Sequence, residues 1–321
     1  MNYIGSKFSL LDFIYSTIKE TAPSLEGAVF FDLFAGTGIV GRFFKDKVKS
    51  VMANDLEYYS YVLNRHYIQN TKRIDFDFSA LNNLKGVEGF IYKNYCPAIS
   101  GRQYFTDENG KIIDAARIEI EKYKNDSDLY FFLLCSLLES ADKVANTTSV
   151  YGAYLKEFKA TASKKLEIKA SPIVETNNKN FVFNEDANTL IRKVKGDILY
   201  LDPPYNERQY GANYHLLNTI ARYEIFEPKG KTGLPEYNKS LYCKKNEVIN
   251  IFEDLVRNAR FDYIFLSYNN EGIIPIEEIK NIMSKYGKYK IAEMNYRRYK
   301  ADAGRTYSAE TTKEYIHILK K

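Results

Sequence analysis

The chain has 321 residues, 45% of them apolar and 27% charged, which leaves room for a large core in one or two domains and excludes a low-complexity or repeat architecture. A net charge of +5, from 46 basic and 41 acidic residues, permits a polyanionic partner without demanding one. Three well-separated cysteines, Cys96, Cys135 and Cys243, exclude a zinc spacing or disulfide framework, and the longest apolar run, YFFLLCSLL from Tyr130, is about half of a membrane span.

With no signal-peptide pattern in MNYIGSKFSLLDFI, a cytoplasmic protein that makes no use of a membrane is the expectation. In chain order, Ser9–Glu20 places Leu10, Leu11, Phe13, Ile14 and Ile18 on one face of a short helix. AVFFDL, from Ala28, reads as a strand buried on both faces, as in a parallel sheet. A glycine-rich turn and helix follow in FAGTGIVGRFFK, then a strand SVMAND ending at Asp55, then a helix over Leu56–Ile68. The strand–helix alternation breaks from about Phe76 to Ala170. There FTDENGKI reads as a hairpin turned at Asn109-Gly110, Asp128–Ala145 as a core helix, and Lys156–Lys169, with five lysines and two glutamates, as a basic helix. The rhythm returns with a strand at NFVFNED, a short helix over Ala187–Val194 and the strand DILYLD. DYIFLSYN (strand), PIEEIKNIMSKYG (helix) and an antiparallel pair, YKIAEMNYRRYK and KEYIHILK, complete the sheet at its edge.

Two constellations carry chemistry. In DLFAGTG, Gly36 and Gly38 allow a tight turn in which a ligand approaches the backbone. Asp55 stands at the end of the second strand, where a carboxylate can accept from both hydroxyls of a ribose. The lysine and serine of a phosphate loop are absent, which points to a nucleoside ligand without an essential phosphate, such as S-adenosylmethionine. In LYLDPPYN, a buried strand delivers Asp202 to the carboxyl edge of the sheet, where open α/β folds bind ligands. Pro203 and Pro204 lack N–H groups and fix φ, so the Asp202 carboxylate and the Pro203 carbonyl can face outward as paired acceptors. Two acceptors side by side suit an amino group, and Tyr205 offers a flat face for stacking. Asn206 is placed to hold the loop.

NYIGSK, DLFAGTG and DPPYN, in that order with an insertion before the last, resemble the Dam-like, D12-class, site-specific DNA N6-adenine methyltransferases. The resemblance covers residues 1 to about 70 and about 180 to 321. It implies a Rossmann-like S-adenosylmethionine-dependent α/β sheet in two pieces, 1–75 and 178–321, with an inserted, mostly helical target-recognition domain at 76–177. It also implies that Tyr3, Lys7, Phe34, Ala35, Gly36, Gly38, Asp55 and Asp186 hold the cofactor. Lys7 then meets the methionine carboxylate, and Asp186 lies near the adenine. Asp202, Pro203, Pro204 and Tyr205 form the catalytic loop. The implied reaction is direct methyl transfer to the N6 amine of an adenine flipped out of duplex DNA, without a metal or a cysteine nucleophile.

Basic residues interleaved with tyrosines suggest where DNA lies: Lys156, Lys159, Lys164, Lys165 and Lys169 in one stretch, and Arg297, Arg298, Lys300 and Arg305 in another. Arg208, Tyr210 and Tyr214 fall in the neighbourhood of the DNA or the flipped base. Gly230–Lys245 has the character of a loop ordered by DNA. With 28 tyrosines and no tryptophan, many tyrosines are expected at the surface or in grooves. Of the histidines, His66 reads as helix surface, His317 as edge strand, and His215 as nearest the catalytic loop. The resemblance is compatible with a companion restriction endonuclease. Rival readings are methylation of adenine in RNA or of a protein glutamine, and a DNA-binding subunit that keeps the fold without the chemistry. A Rossmann oxidoreductase has no use for DPPY.

Overall fold

The computed structural model describes residues 5–297 and 311–321; Tyr3, Arg298, Lys300 and Arg305 lie outside the described residues. Seven strands form one sheet: β1 (Val29–Asp32), β2 (Ser50–Asn54), β3 (Phe181–Phe183), β4 (Gly196–Leu201), β5 (Phe261–Asn269), β6 (Lys288–Arg297) and β7 (Thr311–Lys320). Their order is β3-β2-β1-β4-β5-β7-β6. The first five are parallel, β7 runs antiparallel to β5, and β6 pairs antiparallel with β7. This is the doubly wound α/β sheet the strand–helix rhythm predicts.

The short central strands read as continuous apolar runs because helices lie against both faces. On one face Phe31, Leu199, Leu201, Ile264 and Leu266 pack with Val248, Phe252 and Leu255 of the helix Val248–Asn258 and with Ile279 and Met283 of Ile276–Ser284. On the other, Phe30 stacks on Phe44 of the helix Ile39–Phe44, ring centroids 4.3 Å apart. Near the N-terminus, the helix Leu11–Thr21 buries Leu11, Ile14 and Ile18, the stripe its periodicity marks.

The chain divides into two compact units. Among the described residues, the sheet unit comprises 6–56, 176–209, 239–297 and 311–321; the other takes Gly5 with 57–175 and 210–238. The second unit is therefore larger than the 76–177 drawn from the sequence. It includes the helix Tyr58–Asn64 with its π-turn Arg65–Gln69, and the segment after the proline loop.

Within this unit several local expectations are overturned. Asn109-Gly110 lies inside the helix Asp107–Glu121 and makes no hairpin. Thr106 caps that helix by accepting from the Asn109 N–H at 3.2 Å, and the missing side chain of Gly110 admits Cys96, whose Sγ would stand 2.2 Å from a Cβ there. Residues 156–169 form turns and extended chain with no helix. The expected core helix is present as Ser127–Lys143, with Cys135 buried in it. Tyrosines are not confined to the surface: Tyr59, Tyr95, Tyr104, Tyr151 and Tyr214 are fully buried. Three of them satisfy their hydroxyls on the protein itself, Tyr95 on the Gly233 carbonyl (2.7 Å), Tyr104 on the Tyr151 carbonyl (2.6 Å) and Tyr151 on Asp142 (2.9 Å).

Candidate active site

The strand order reverses between β1 and β4, so the chains leaving their carboxyl ends turn apart and open a crevice at the switch point. Both constellations leave from these two strands. After β1, Gly36 (φ 52°) and Gly38 (φ 75°) take left-handed conformations that a side chain would strain. The Ala35 N–H donates to the Asn54 carbonyl (2.9 Å), and the Gly36 N–H donates to Asp55 Oδ2 (2.8 Å). The acid that follows the second strand thus braces the glycine turn. Gly36, Gly38 and Gly41 also match the dinucleotide fingerprint spacing, so the glycines alone do not choose between ligands.

Asp32, 1% exposed, accepts from the Gly41 N–H at 3.0 Å. Burial pushes its carboxyl up to about 8; the Gly41 bond opposes this, while the Asp202 and Asp55 charges add to it. Sequence reasoning missed Asn54, the buried last residue of β2. Its amide donates to the Leu33 and Glu185 carbonyls (3.2 and 3.1 Å) and accepts from the Glu185 N–H (3.0 Å), clamping the ends of β1 and β3 together. Phe34 is half-buried, edge-on to Tyr242 at 4.9 Å. Asp186 is exposed and caps the helix Ala187–Leu190 through the Thr189 N–H (2.9 Å).

After β4, Asp202 Oδ1 meets Lys7 Nζ at 3.1 Å. Lys7 is 6% exposed and Asp202 is partly buried, so the lysine end of the pair is withdrawn from water and the carboxylate only in part. Burial lifts the Asp202 carboxyl to about 6 even though Lys7 pulls it down. Burial would lower the Lys7 ammonium, but the Asp202 and Glu314 carboxylates outweigh it and hold the group above the usual lysine value. The Tyr205 carbonyl accepts from the Ile273 N–H (3.0 Å), and Asn206 Oδ1 accepts from the Arg208 N–H (2.9 Å), closing an Asx turn that holds the loop. Lys7, expected from the sequence to face the cofactor, is paired instead with Asp202, and the charge of Glu314 acts on both without any signal in the local sequence.

Among residues assigned to DNA, Lys156, Lys164 and Lys165 are exposed, as is Arg208. Lys159 instead turns its ammonium onto the Thr147 carbonyl (2.5 Å). Tyr210 begins the short helix Tyr210–Asn213, Arg297 ends β6, and Tyr214 is core, which removes it from any base contact. His215 is fully buried, with its ring nitrogens on the Ala212 and Thr232 carbonyls (3.0 and 3.2 Å), a structural role. His66 is also buried, its Nε2 3.1 Å from the Ser171 carbonyl, and His317 lies on β7 between two strands rather than at an edge. In Gly230–Lys245, Arg102 donates to the Gly230 and Lys231 carbonyls, and Ser240 exchanges two bonds with Gln209, so this segment is tied down by the protein itself.

Among the described residues no helix is long and apolar enough to cross a membrane. The family model described as D12 class N6 adenine-specific DNA methyltransferase matches residues 3–282. The Type II methyltransferase M.NlaIII of Neisseria lactamica is 54% identical, across 100% of this chain and 99% of its own length. M.CviAII of Paramecium bursaria Chlorella virus 1 is 39% identical over 94% of this chain and 93% of its own. M.FokI of Planomicrobium okeanokoites is 42% identical over all of this chain, which spans 53% of that longer protein. With the glycine turn, its bracing acid and the Asp-Pro-Pro-Tyr loop meeting at one switch point, the chain belongs to the D12 class of N6-adenine-specific DNA methyltransferases, and its activity is site-specific methylation of DNA adenine with S-adenosylmethionine as donor.

Proposed function

We propose that Asp202 and the Pro203 carbonyl accept the two hydrogens of the target adenine amine while the Tyr205 ring stacks on the base. The observation that carries this reading is the Asp202 carboxylate itself: partly buried, delivered by β4 to the switch point, and followed by two prolines that bring no N–H to compete for it. The exocyclic amine is a poor nucleophile because its lone pair is delocalised into the ring. Two acceptors favour a pyramidal nitrogen whose lone pair turns out of the ring plane, and a fixed site makes that geometry at no cost during reaction. With a methyl donor bound, the N6–methyl bond would form as the methyl–sulfur bond breaks, its electron pair staying on a sulfur that leaves as a neutral thioether, and N6 would release one proton to solvent.

S-adenosylmethionine, when bound, supplies an electrophilic methyl group on a sulfonium sulfur. The residues present fit it. The left-handed glycines let a ligand lie against the backbone, Phe34 and Ala35 line the turn, Asp55 suits a ribose diol, Lys7 suits a carboxylate, and Asp186 stands at the end of β3. Tyr3 belongs with these residues by its place in NYIGSK.

The substrate in this reading is duplex DNA, read by the unit of residues 57–175 and 210–238, whose basic chains Lys156, Lys164 and Lys165 meet phosphates. By their place in the sequence, Arg208 and Tyr210 are assigned to the neighbourhood of the base, and Arg297, Arg298, Lys300 and Arg305 to phosphate contacts. Flipping costs a few kcal/mol, and stacking on Tyr205 offsets about 1–3 kcal/mol of it. A companion restriction endonuclease is proposed because the relatives are named Type II methyltransferases. Three buried cysteines with no disulfide between them fit a reducing, cytoplasmic setting. The test is transfer of labelled methyl to unmethylated genomic DNA, mapping of the modified site, then comparison of that site as duplex, single strand and RNA. Rates on RNA equal to or above those on duplex overturn the substrate assignment.

A further inference from the structure

β7 runs against the parallel strands, so its first residues lie at the edge where the others end. There Glu314 pairs in register with Asn269, the last residue of β5, just before the turn whose Ile273 N–H holds the Tyr205 carbonyl. The Glu314 side chain is 7% exposed, and its Oε2 has no hydrogen-bond partner among the described residues. A carboxylate oxygen kept from water without a donor is costly, and such a group points to a role. The charges it acts on are those of the site: Lys7, Asp202 and Tyr205.

Lys7 sits on Asp202 Oδ1, on the carboxylate that the target amine requires. An ammonium held there weakens that acceptor and opposes the positive charge that develops on N6. A lysine has three donors, and a second carboxylate nearby can draw it aside. We propose that Glu314 is a positioning residue, whose carboxylate competes with Asp202 for the Lys7 ammonium and so leaves Asp202 open to the target amine. The inference rests on the reading of Asp202 as amine acceptor. It also accounts for an acid inside a β-strand: glutamine would fill the same space but could not compete for a cation.

The test is a cycle of Glu314→Gln, Lys7→Met and the double variant, with Glu314→Asp and Asp202→Ala alongside, in the full chain and each checked by thermal melting. The measurement is single-turnover methylation of a duplex carrying the mapped site, at saturating S-adenosylmethionine. Glu314→Gln is expected to slow transfer about tenfold at saturating cofactor. In the Lys7→Met background the same change is expected to do nothing further, because no ammonium remains to be drawn aside. Glu314→Asp keeps the charge and is expected to retain more activity than Glu314→Gln. Equal fold-losses in both backgrounds, a parental rate in Glu314→Gln, or Glu314→Asp no better than Glu314→Gln overturns the inference while a slow Asp202→Ala leaves the acceptor reading standing. A near-parental Asp202→Ala overturns both.

Discussion

Replacing Asp202 removes the group on which the proposed chemistry turns, and the size of the effect can be worked from its surroundings. The carboxylate is partly buried and its charge is offset mainly by Lys7 at 3.1 Å. Two full charges ~4 Å apart attract by about 4 kcal/mol at an effective dielectric of ~20. Only part of a charge develops on N6, but a charged hydrogen bond of ~1.5–3 kcal/mol is lost as well. Asp202→Ala is therefore expected to cost about 2–4 kcal/mol at the transition state, or roughly 30- to 1000-fold in rate. Asp202→Asn keeps one carbonyl oxygen and falls between parent and Asp202→Ala. The pH profile adds a sharper signature. The carboxyl titrates at about 6 in the folded protein, so only above that pH is it fully an acceptor. Below it the parental rate is expected to fall about tenfold per pH unit, and Asp202→Asn loses that limb. The assay is single-turnover methylation of a duplex between pH 5 and 8, with enzyme in excess. Near-parental rates in both variants, or an unchanged acid limb in Asp202→Asn, would refute the acceptor role.

Asp32→Asn should flatten the pH dependence of stability. The Asp32 carboxyl is raised from 3.8 to about 8 on folding, so the native state holds the extra proton and stability falls as pH rises through that window, by at most about 1.4 kcal/mol per unit from this group. The advantage of Asp32→Asn over the parent in urea denaturation should grow from pH 5 to pH 8; a constant difference rejects the buried-acid account. Gly110→Ala should cost about 2 kcal/mol despite alanine's better helix propensity, because the new Cβ would lie 2.2 Å from Cys96 Sγ, and Cys96→Ala in the same chain should recover much of the loss. Lys164→Ala with Lys165→Ala should weaken DNA binding on all sequences and lower the slope of log affinity against log salt by about 1.8; equal slopes take this stretch off the DNA.

The amino-acid sequence by itself determined the elements whose signals are local. AVFFDL and DILYLD announce buried parallel strands because both faces of each are covered, so no polar alternation interrupts them. Gly36 and Gly38 mark a left-handed turn, and Pro203-Pro204 a strand end without donors, because those restrictions belong to the residues themselves. Asp55 and Asp202 were legible as candidate site acids because each follows a strand in a topology with one binding edge. Tertiary structure decided whatever depends on a partner distant in sequence. Asn109-Gly110 is a turn signal in isolation, but the Thr106 cap and the close fit of Cys96 make it helix. Residues 156–169 read as a basic helix, but the Lys159 N–H and ammonium donate instead to the Asn146 and Thr147 oxygens, partners that the local pattern does not mark. Tyr214 and His66 look like surface groups until other segments bury them. Glu314 shows the limit most plainly. It lies 112 positions beyond Asp202 in a strand that reads as ordinary sheet, and only the antiparallel run of β7 brings its carboxylate to the edge where Lys7 and Asp202 meet, because a field acts through space and carries no mark along the chain.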